Sequence, residues 1–250
     1  MEQNNTQGRS LELSVVISAL NEGERVAEVL TRVLESLKRN NINGEVVFMN
    51  NHSTDNTGEN ADRVAQQYAN LRVIHRQNRP NKDLGSSLRE GIANAKGKFY
   101  LIMDCDLSHN PDDIVRLFNE RDKADIIIGS RFVKGGSAEL NFKRWLFTRT
   151  YNNLARLLVG IPVKDLTTGF KLYRTELIRR LDLKQNGFGL VVEMPIKAYL
   201  SGATFLEIPI KYARSPKEST LNYRKQFRSY MTPVMEGFKE RLRRLFFFWK

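Results

Sequence analysis

The sequence predicts an α/β domain, with a mostly parallel central sheet and helices on both of its faces. Two observations carry this expectation. Short apolar runs of strand length alternate, through the first half of the chain, with longer segments whose apolar residues recur at helical spacing. Strands separated by helices pair in parallel and are covered on both sides. The 250-residue chain is also 41% hydrophobic and 27% charged, an ordinary globular balance with enough apolar material for one sizeable core.

Residues 13–18 read as a short buried strand. After Asn21, Glu22 and Gly23, the apolar residues Val26, Val29, Leu30, Val33, Leu34 and Leu37 share one side of a helix. A second strand at 45–49 leads into the polar loop 50–56, and a helix runs from Thr57 to about Gln67. A third strand at 71–74 is followed by a loop at 76–84 and a helix opening on the small Gly85, Ser86 and Ser87. The fourth strand is 99–103, after which Pro111, Asp112 and Asp113 form the first turn of another helix. Residues 124–128 make a fifth strand.

Beyond Gly129, Ser130 and Arg131 the rhythm changes. Residues 142–158 form a basic helix with a Trp/Phe/Leu face, and Trp145 to Tyr151 could border a groove or simply pack. A polar loop at 165–171, a helix at 175–181, an apolar stretch at 188–199 holding Glu193, and a strand at 204–210 complete the pattern before a cationic loop at 214–220. No internal repeat interrupts it. The expected organisation is a disordered polar stretch at 1–10, one catalytic domain at 11–223, and a basic amphipathic extension at 224–250.

The most telling residues end the fourth strand. Alternate side chains of an extended backbone point the same way, so Asp104 and Asp106 converge while Cys105 turns aside. Two converging carboxylates suit a hard divalent cation that also holds a phosphate. Ligands of open α/β sheets bind beyond the carboxyl ends of the strands. Asn21 and Glu22, the 50–56 loop, Asp104 and Asp106 all fall at that edge. His52, His75 and His109 are scattered, which suggests packing or surface roles rather than a metal cluster.

Charge is distributed unevenly. The net charge is +12, yet residues 1–130 sum to −3, while residues 131–150 carry +4 and the last forty carry +8. The end of the chain mixes Arg241, Arg243 and Arg244 with three Phe and a Trp, a composition suited to an anionic membrane surface rather than to nucleic acid. A helix packed on its own domain is the alternative. The single cysteine, Cys105, allows no internal disulfide, and no apolar run reaches the length of a membrane-spanning helix. The expectation is a cytoplasmic protein, peripheral on the cytoplasmic face of a membrane.

Taken in order, residues 17–22 (ISALNE), 50–57 (NNHSTDNT), 104–109 (DCDLSH), Gly129 to Arg131 with Gly135 and Gly136, 165–170 (DLTTGF) and 214–221 resemble a family-2 inverting glycosyltransferase of the GT-A fold. Within it they are most similar to the dolichyl- and polyprenyl-phosphate mannosyltransferases. The resemblance implies that Ala19, Asn21 and Glu22 line a nucleotide pocket, joined by Asn50, Asp55, Cys105 and the two aspartates. Asp104, Asp106 and Ser108 would hold Mg2+ or Mn2+. Arg131 and Arg144 would receive an acceptor phosphate, and Arg214 would clamp the donor diphosphate. The family pattern is departed from in three places: at Asn50 where Asp is usual, at Ser108 where Gln is common, and in the distal loop, where Lys217 and Thr220 stand for the usual Gly and Lys and where Lys217, Arg224 or Lys225 could supply the charge from a different place.

The implied reaction is transfer of a hexose, mannose from GDP-mannose, to a polyprenyl phosphate, with Asp104, Asp106 and Arg214 at the chemical centre. A phosphate acceptor has a second ionisation near pH ~6 and is anionic at neutral pH, so it needs little help from a base. The alternatives are a UDP-linked donor, a saccharide or glycolipid hydroxyl as acceptor, or a non-catalytic membrane-surface module.

Overall fold

The computed structural model describes residues 10–214 and 223–247. In chain order the elements are β1 (Leu13–Ala19), α1 (Arg25–Arg39), β2 (Gly44–Asn50), α2 (Thr57–Ala65), β3 (Leu71–His75), α3 (Leu84–Asn94), β4 (Phe99–Asp104), α4 (Asp112–Asn119) and β5 (Ile126–Ser130). Then come β6 (Ser137–Ala138), α5 (Phe142–Val159), β7 (Lys171–Arg174), α6 (Thr175–Arg180), α7 (Gly189–Leu200), β8 (Phe205–Pro209), β9 (Lys211–Tyr212) and α8 (Tyr223–Phe247).

Seven strands form one sheet in the order β3-β2-β1-β4-β7-β5-β8, and β6 pairs with β9 apart from it. All neighbours in the large sheet run parallel except β7, which is antiparallel to both β4 and β5. The apolar side chains of α1 that share helical spacing are all buried, and with α2 and α4 they cover one face. The other face is covered by α3, α5, α6, α7 and α8. Both faces are therefore dry, and β1, β2 and β4 accordingly carry near-continuous apolar runs.

Three expectations need correction. The fifth strand is Ile126–Ser130 rather than 124–128, because its register is set by β8, with Ile126 opposite Phe205 and Ser130 opposite Pro209. The four residues of β7 form a strand between the 165–170 loop and the next helix, where no strand is expected. Leu172 and Tyr173 pack into opposite faces of the sheet, so this short strand is buried on both sides. Last, the chain from 224 onward is not an appendage. Tyr230 and Val234 of α8 are core residues, and Gly237 lies so close to Ile196 and Val159 that a Cβ would stand 2.9 Å from Ile196 Cγ2.

The arginines of this last helix have local work as well. Arg241 donates to the carbonyls of Leu157 and Leu158, at the end of α5, and Arg244 donates to Leu200 O, at the end of α7. Cations at helix C-termini satisfy orphan carbonyls and complement the dipole. Among the described residues no helix is long and apolar enough to cross a membrane.

The reversed direction of β7 shapes the carboxyl edge of the sheet. The parallel strands bring Ala19, Asn50, Asp104 and Ser130 to that edge as their last residues. Because β7 runs the other way, its first residue, Lys171, sits opposite Ile102. The 165–170 loop that precedes it is thereby delivered to the same edge.

Candidate active site

The loops at this edge are tied to one another. Asn21 N–H donates to Ser53 Oγ, and Asn21 Oδ1 accepts from Thr54 N–H at 2.8 Å. The backbone N–H groups of Glu22 and Gly23 both donate to Thr57 Oγ1, and Asp55 accepts from Thr57 N–H. The Glu22 carboxylate pairs with Arg25 at 3.0 Å. Among the described residues four non-glycine positions have positive φ, and three of them lie in these loops: Asn21 at 55°, His52 at 62° and Leu107 at 61°. Strained backbone of this kind collects where loops are shaped for function.

Asn50 does not open on the cleft. It follows Val46 and Phe48 on the face of β2 that is covered by helices, and a Cβ on Gly58 of α2 would come within 2.6 Å of its Nδ2. Its amide meets His75 Nδ1 at 3.0 Å, and His75 Nε2 meets Asp62. The expected base-reading role is not supported by this burial. His52, too, has a local partner, the carbonyl of Arg79.

Asp104 is the last residue of β4, and Asp106 lies two residues on, in the turn that follows it. Asp104 has a 44% exposed side chain, while Cys105 between the aspartates is buried, which pushes its thiol well above the ordinary range and keeps it protonated. Leu107 reverses the chain, and Asp106 Oδ1 accepts from both the backbone N–H and the hydroxyl of Ser108. The Ser108 hydroxyl is therefore turned toward Asp106, where it holds the carboxylate. Ala213 N–H donates to Ser108 O and so pins the segment after β9 against this turn. The next residue, the exposed Arg214, has its backbone fixed by Glu139. Lys217 and Thr220, expected to serve in the distal loop, lie outside the described residues, as do the side chains of Arg224 and Lys225.

Positive charge faces Asp104 from the second half of the chain. A cleft is lined by Asp104, His109, Arg131, Arg144, Gly169 and Tyr212, among others. Arg144 sits in the first turn of α5, whose N-cap Asn141 accepts its N–H. Arg131 is 7% exposed, and its expected phosphate-binding fork is already engaged. Its Nε and Nη2 both donate to Asp165, at 2.8 Å each, and Nη2 also reaches Thr167 Oγ1. A buried guanidinium must be paired, and Asp165 is that partner. Burial alone would raise the Asp165 carboxyl, but Arg131 more than offsets this and holds it below the usual range. Packing likewise works to raise the Asp104 carboxyl, and the His109 ring, Arg131 and Arg144 reverse it.

Lys171, which the sequence did not single out, supports this wall from behind. It is fully buried, and its ammonium donates to the carbonyls of Leu166, Thr168 and Val191, fastening the 165–170 loop to α7. Glu193 is buried away from the cleft, where it accepts from the N–H groups of Lys184 and Gln185 and pairs with Lys197. It is an anchor for the loop before α7.

Asp104 and Asp106 fit a hard divalent cation. Their oxygens are hard donors, Ser108 fixes one of them, and Gly169 leaves space at Asp104, since a Cβ there would stand 3.5 Å from Oδ1. Among the described residues no third His, Cys, Asp or Glu closes a cage. Mg2+ is commonly bound by one or two carboxylates together with substrate phosphates.

Known proteins resemble this chain in sequence and in fold. Residues 14–182 match the model of glycosyl transferase family 2. Over 220 residues the chain is 32% identical to a dolichol-phosphate mannosyltransferase of Pyrococcus furiosus, covering 84% of this chain but only 59% of that longer protein. A polyprenol monophosphomannose synthase of Mycolicibacterium smegmatis is 29% identical over 207 residues, 79% of this chain and 76% of its own. Among solved structures, glucosyl-3-phosphoglycerate synthase of Mycobacterium tuberculosis in complex with UDP superposes with a TM-score of 0.70 at 18% identity, over 89% of this chain and 80% of that one. A further structure of that enzyme, with Mn2+, UDP-glucose and glycerol 3-phosphate, gives 0.71 at 17% identity, over 90% and 79%. At such identities the likeness speaks to the fold.

Proposed function

The chain belongs to glycosyl transferase family 2, and on that premise we propose that it transfers mannose from GDP-mannose to a polyprenyl phosphate at a membrane surface, inverting the anomeric carbon. The observation that carries the reading is one juxtaposition. A carboxylate of the acid pair and two arginines line the same cleft, as the meeting of two phosphate-bearing substrates requires. The names of the two curated relatives support the sugar and the lipid acceptor.

Asp104 and Asp106 would hold Mg2+ or Mn2+, which supplies charge neutralisation to the diphosphate as it leaves. Arg214, next to the residue that pins the Ser108 turn, adds a cation on the donor side. On the other side Arg144 receives the acceptor phosphate. Arg131, engaged largely by Asp165, holds Thr167 and the loop wall in place. A bond forms from an acceptor phosphate oxygen to the anomeric carbon as the bond to the donor β-phosphate breaks, and GDP departs. The attacking oxygen is already anionic at neutral pH, so no residue needs to take a proton. The exposed Phe142, Trp145 and Leu146 of α5, beside Arg144, offer lipid contact close to the acceptor site; a further contact by the basic end of the chain is part of the same proposal.

The test is an assay with labelled GDP-mannose or UDP-glucose and polyprenyl phosphate in liposomes, read after organic extraction. We expect label from GDP-mannose in the lipid phase, dependent on Mn2+ or Mg2+, and a loss of about 100-fold or more in Asp106→Ala. Transfer from UDP-glucose alone would overturn the donor. Transfer only to a hydroxyl-bearing lipid would overturn the acceptor.

A further inference from the structure

We propose that His109 is a positioning residue for the cation site, its Nε2–H holding one oxygen of Asp104 so that the remaining lone pairs face the metal and the donor phosphates. The inference rests on the reading that Asp104 and Asp106 bind the cation, and it assigns a task to a residue outside that pair.

His109 is 3% exposed. Its ring is stacked on Phe170, with centroids 4.6 Å apart and planes 16° from parallel, and it meets Tyr212 edge-on at 5.1 Å. This sandwich asks only for a flat apolar ring, which a phenyl group would supply. The two nitrogens are the anomaly, because neither has a hydrogen-bond partner among the described residues. An unmet buried donor or acceptor costs about 1–3 kcal/mol, so an imidazole here calls for a reason other than packing.

The nearest reason is Asp104, whose Oδ2 lies 3.6 Å from Nε2. The separation is a few tenths of an ångström beyond a hydrogen bond, and such contacts commonly tighten only when ligand is bound. The backbone serves this placement. Leu107 turns at positive φ, and the carbonyl of Ser108 is pinned by Ala213, so the ring is carried back under the carboxylate that precedes it by five residues. Groups that orient a ligating carboxylate from behind typically govern metal affinity by 10–100-fold.

Two substitutions separate this role from packing. His109→Phe keeps the stacked ring and removes both nitrogens. His109→Gln loses the ring and keeps an N–H donor at the Nε2 position. Mn2+ is titrated into each protein saturated with GDP or with UDP and followed by electron paramagnetic resonance, and melting temperatures are recorded in parallel. We expect His109→Phe to weaken Mn2+ binding by roughly 10–100-fold without lowering the melting temperature, and His109→Gln to stay within about threefold of the parent while melting lower. Undiminished Mn2+ affinity in His109→Phe overturns the proposal, as does an equal loss in both variants. Should His109→Phe yield no soluble protein, His109→Leu carries the same contrast with His109→Gln. Asp106→Asn is the control: if it binds Mn2+ as the parent does, the cation reading itself has failed, whatever His109 does.

Discussion

Arg131 and Asp165 show how a side chain suited to a substrate can be claimed by the fold. Both are buried, and the guanidinium shares two donors with the carboxylate at 2.8 Å. Removing one partner strands the other, so Arg131→Ala should cost about 3–5 kcal/mol in urea unfolding. The double substitution Arg131→Met with Asp165→Leu should recover most of that; an equal loss in single and double variants would contradict the pairing. Lys171 is a second case, with burial pulling its pKa down to about 7. The unfolded chain, with its lysine near ~10.4, then binds more protons than the folded one between these values. Stability should therefore rise with pH from about 7 to about 10.4, and Lys171→Met should flatten this rise in a melting series; an unchanged slope would assign the effect elsewhere. Neither role is legible in sequence, where Lys171 reads as one more surface cation and its buried position depends on a strand only the tertiary pairing reveals. The two aspartates could be singled out because a two-residue spacing at a strand's end is a local signal. His109 could not, since the stack with Phe170 and Tyr212 unites residues far apart in the chain.

Among the elements, the alternating strands and helices of the first half could be read directly, because one period governs each segment. The β7 strand could not. It is four residues long with Lys and Arg at its ends, too short and too charged to show a period. In the final helix the basic and aromatic composition left both a packed helix and a membrane contact open, and the structure shows the packing. Helical spacing turns Tyr230, Val234 and Gly237 inward, while Arg241 and Arg244 close the ends of α5 and α7. Large apolar residues are exposed on α8, at Phe227, Met235 and Leu245, and also on α5, where Phe142 is 71% exposed and stacks on Trp145 at 6.2 Å, with Arg149 near the same indole. Replacing Phe142, Trp145 and Leu146 together by Ser should reduce co-sedimentation with anionic liposomes several-fold and leave the melting temperature nearly unchanged, since exposed side chains contribute little to the core. Unaltered sedimentation would remove α5 from the membrane contact.

For the molecule as a whole, the uneven charge of the sequence acquires a spatial meaning. The first 130 residues, net −3, supply the acid pair at the end of β4. The basic remainder supplies Arg131 and Arg144, and the reversed β7 brings the 165–170 loop to the same cleft. On the proposed reading, the sheet sets a carboxylate site for a cation beside Arg144, the site for a second phosphate. Separation of charge across the cleft is the condition for bringing two anionic substrates together, and it depends on where the cation binds. The most direct measurement is anomalous diffraction from crystals soaked with Mn2+ and GDP. The account predicts a manganese peak held by Asp104 and Asp106, with the diphosphate on its open side. A peak elsewhere, leaving both aspartates without metal, would contradict it.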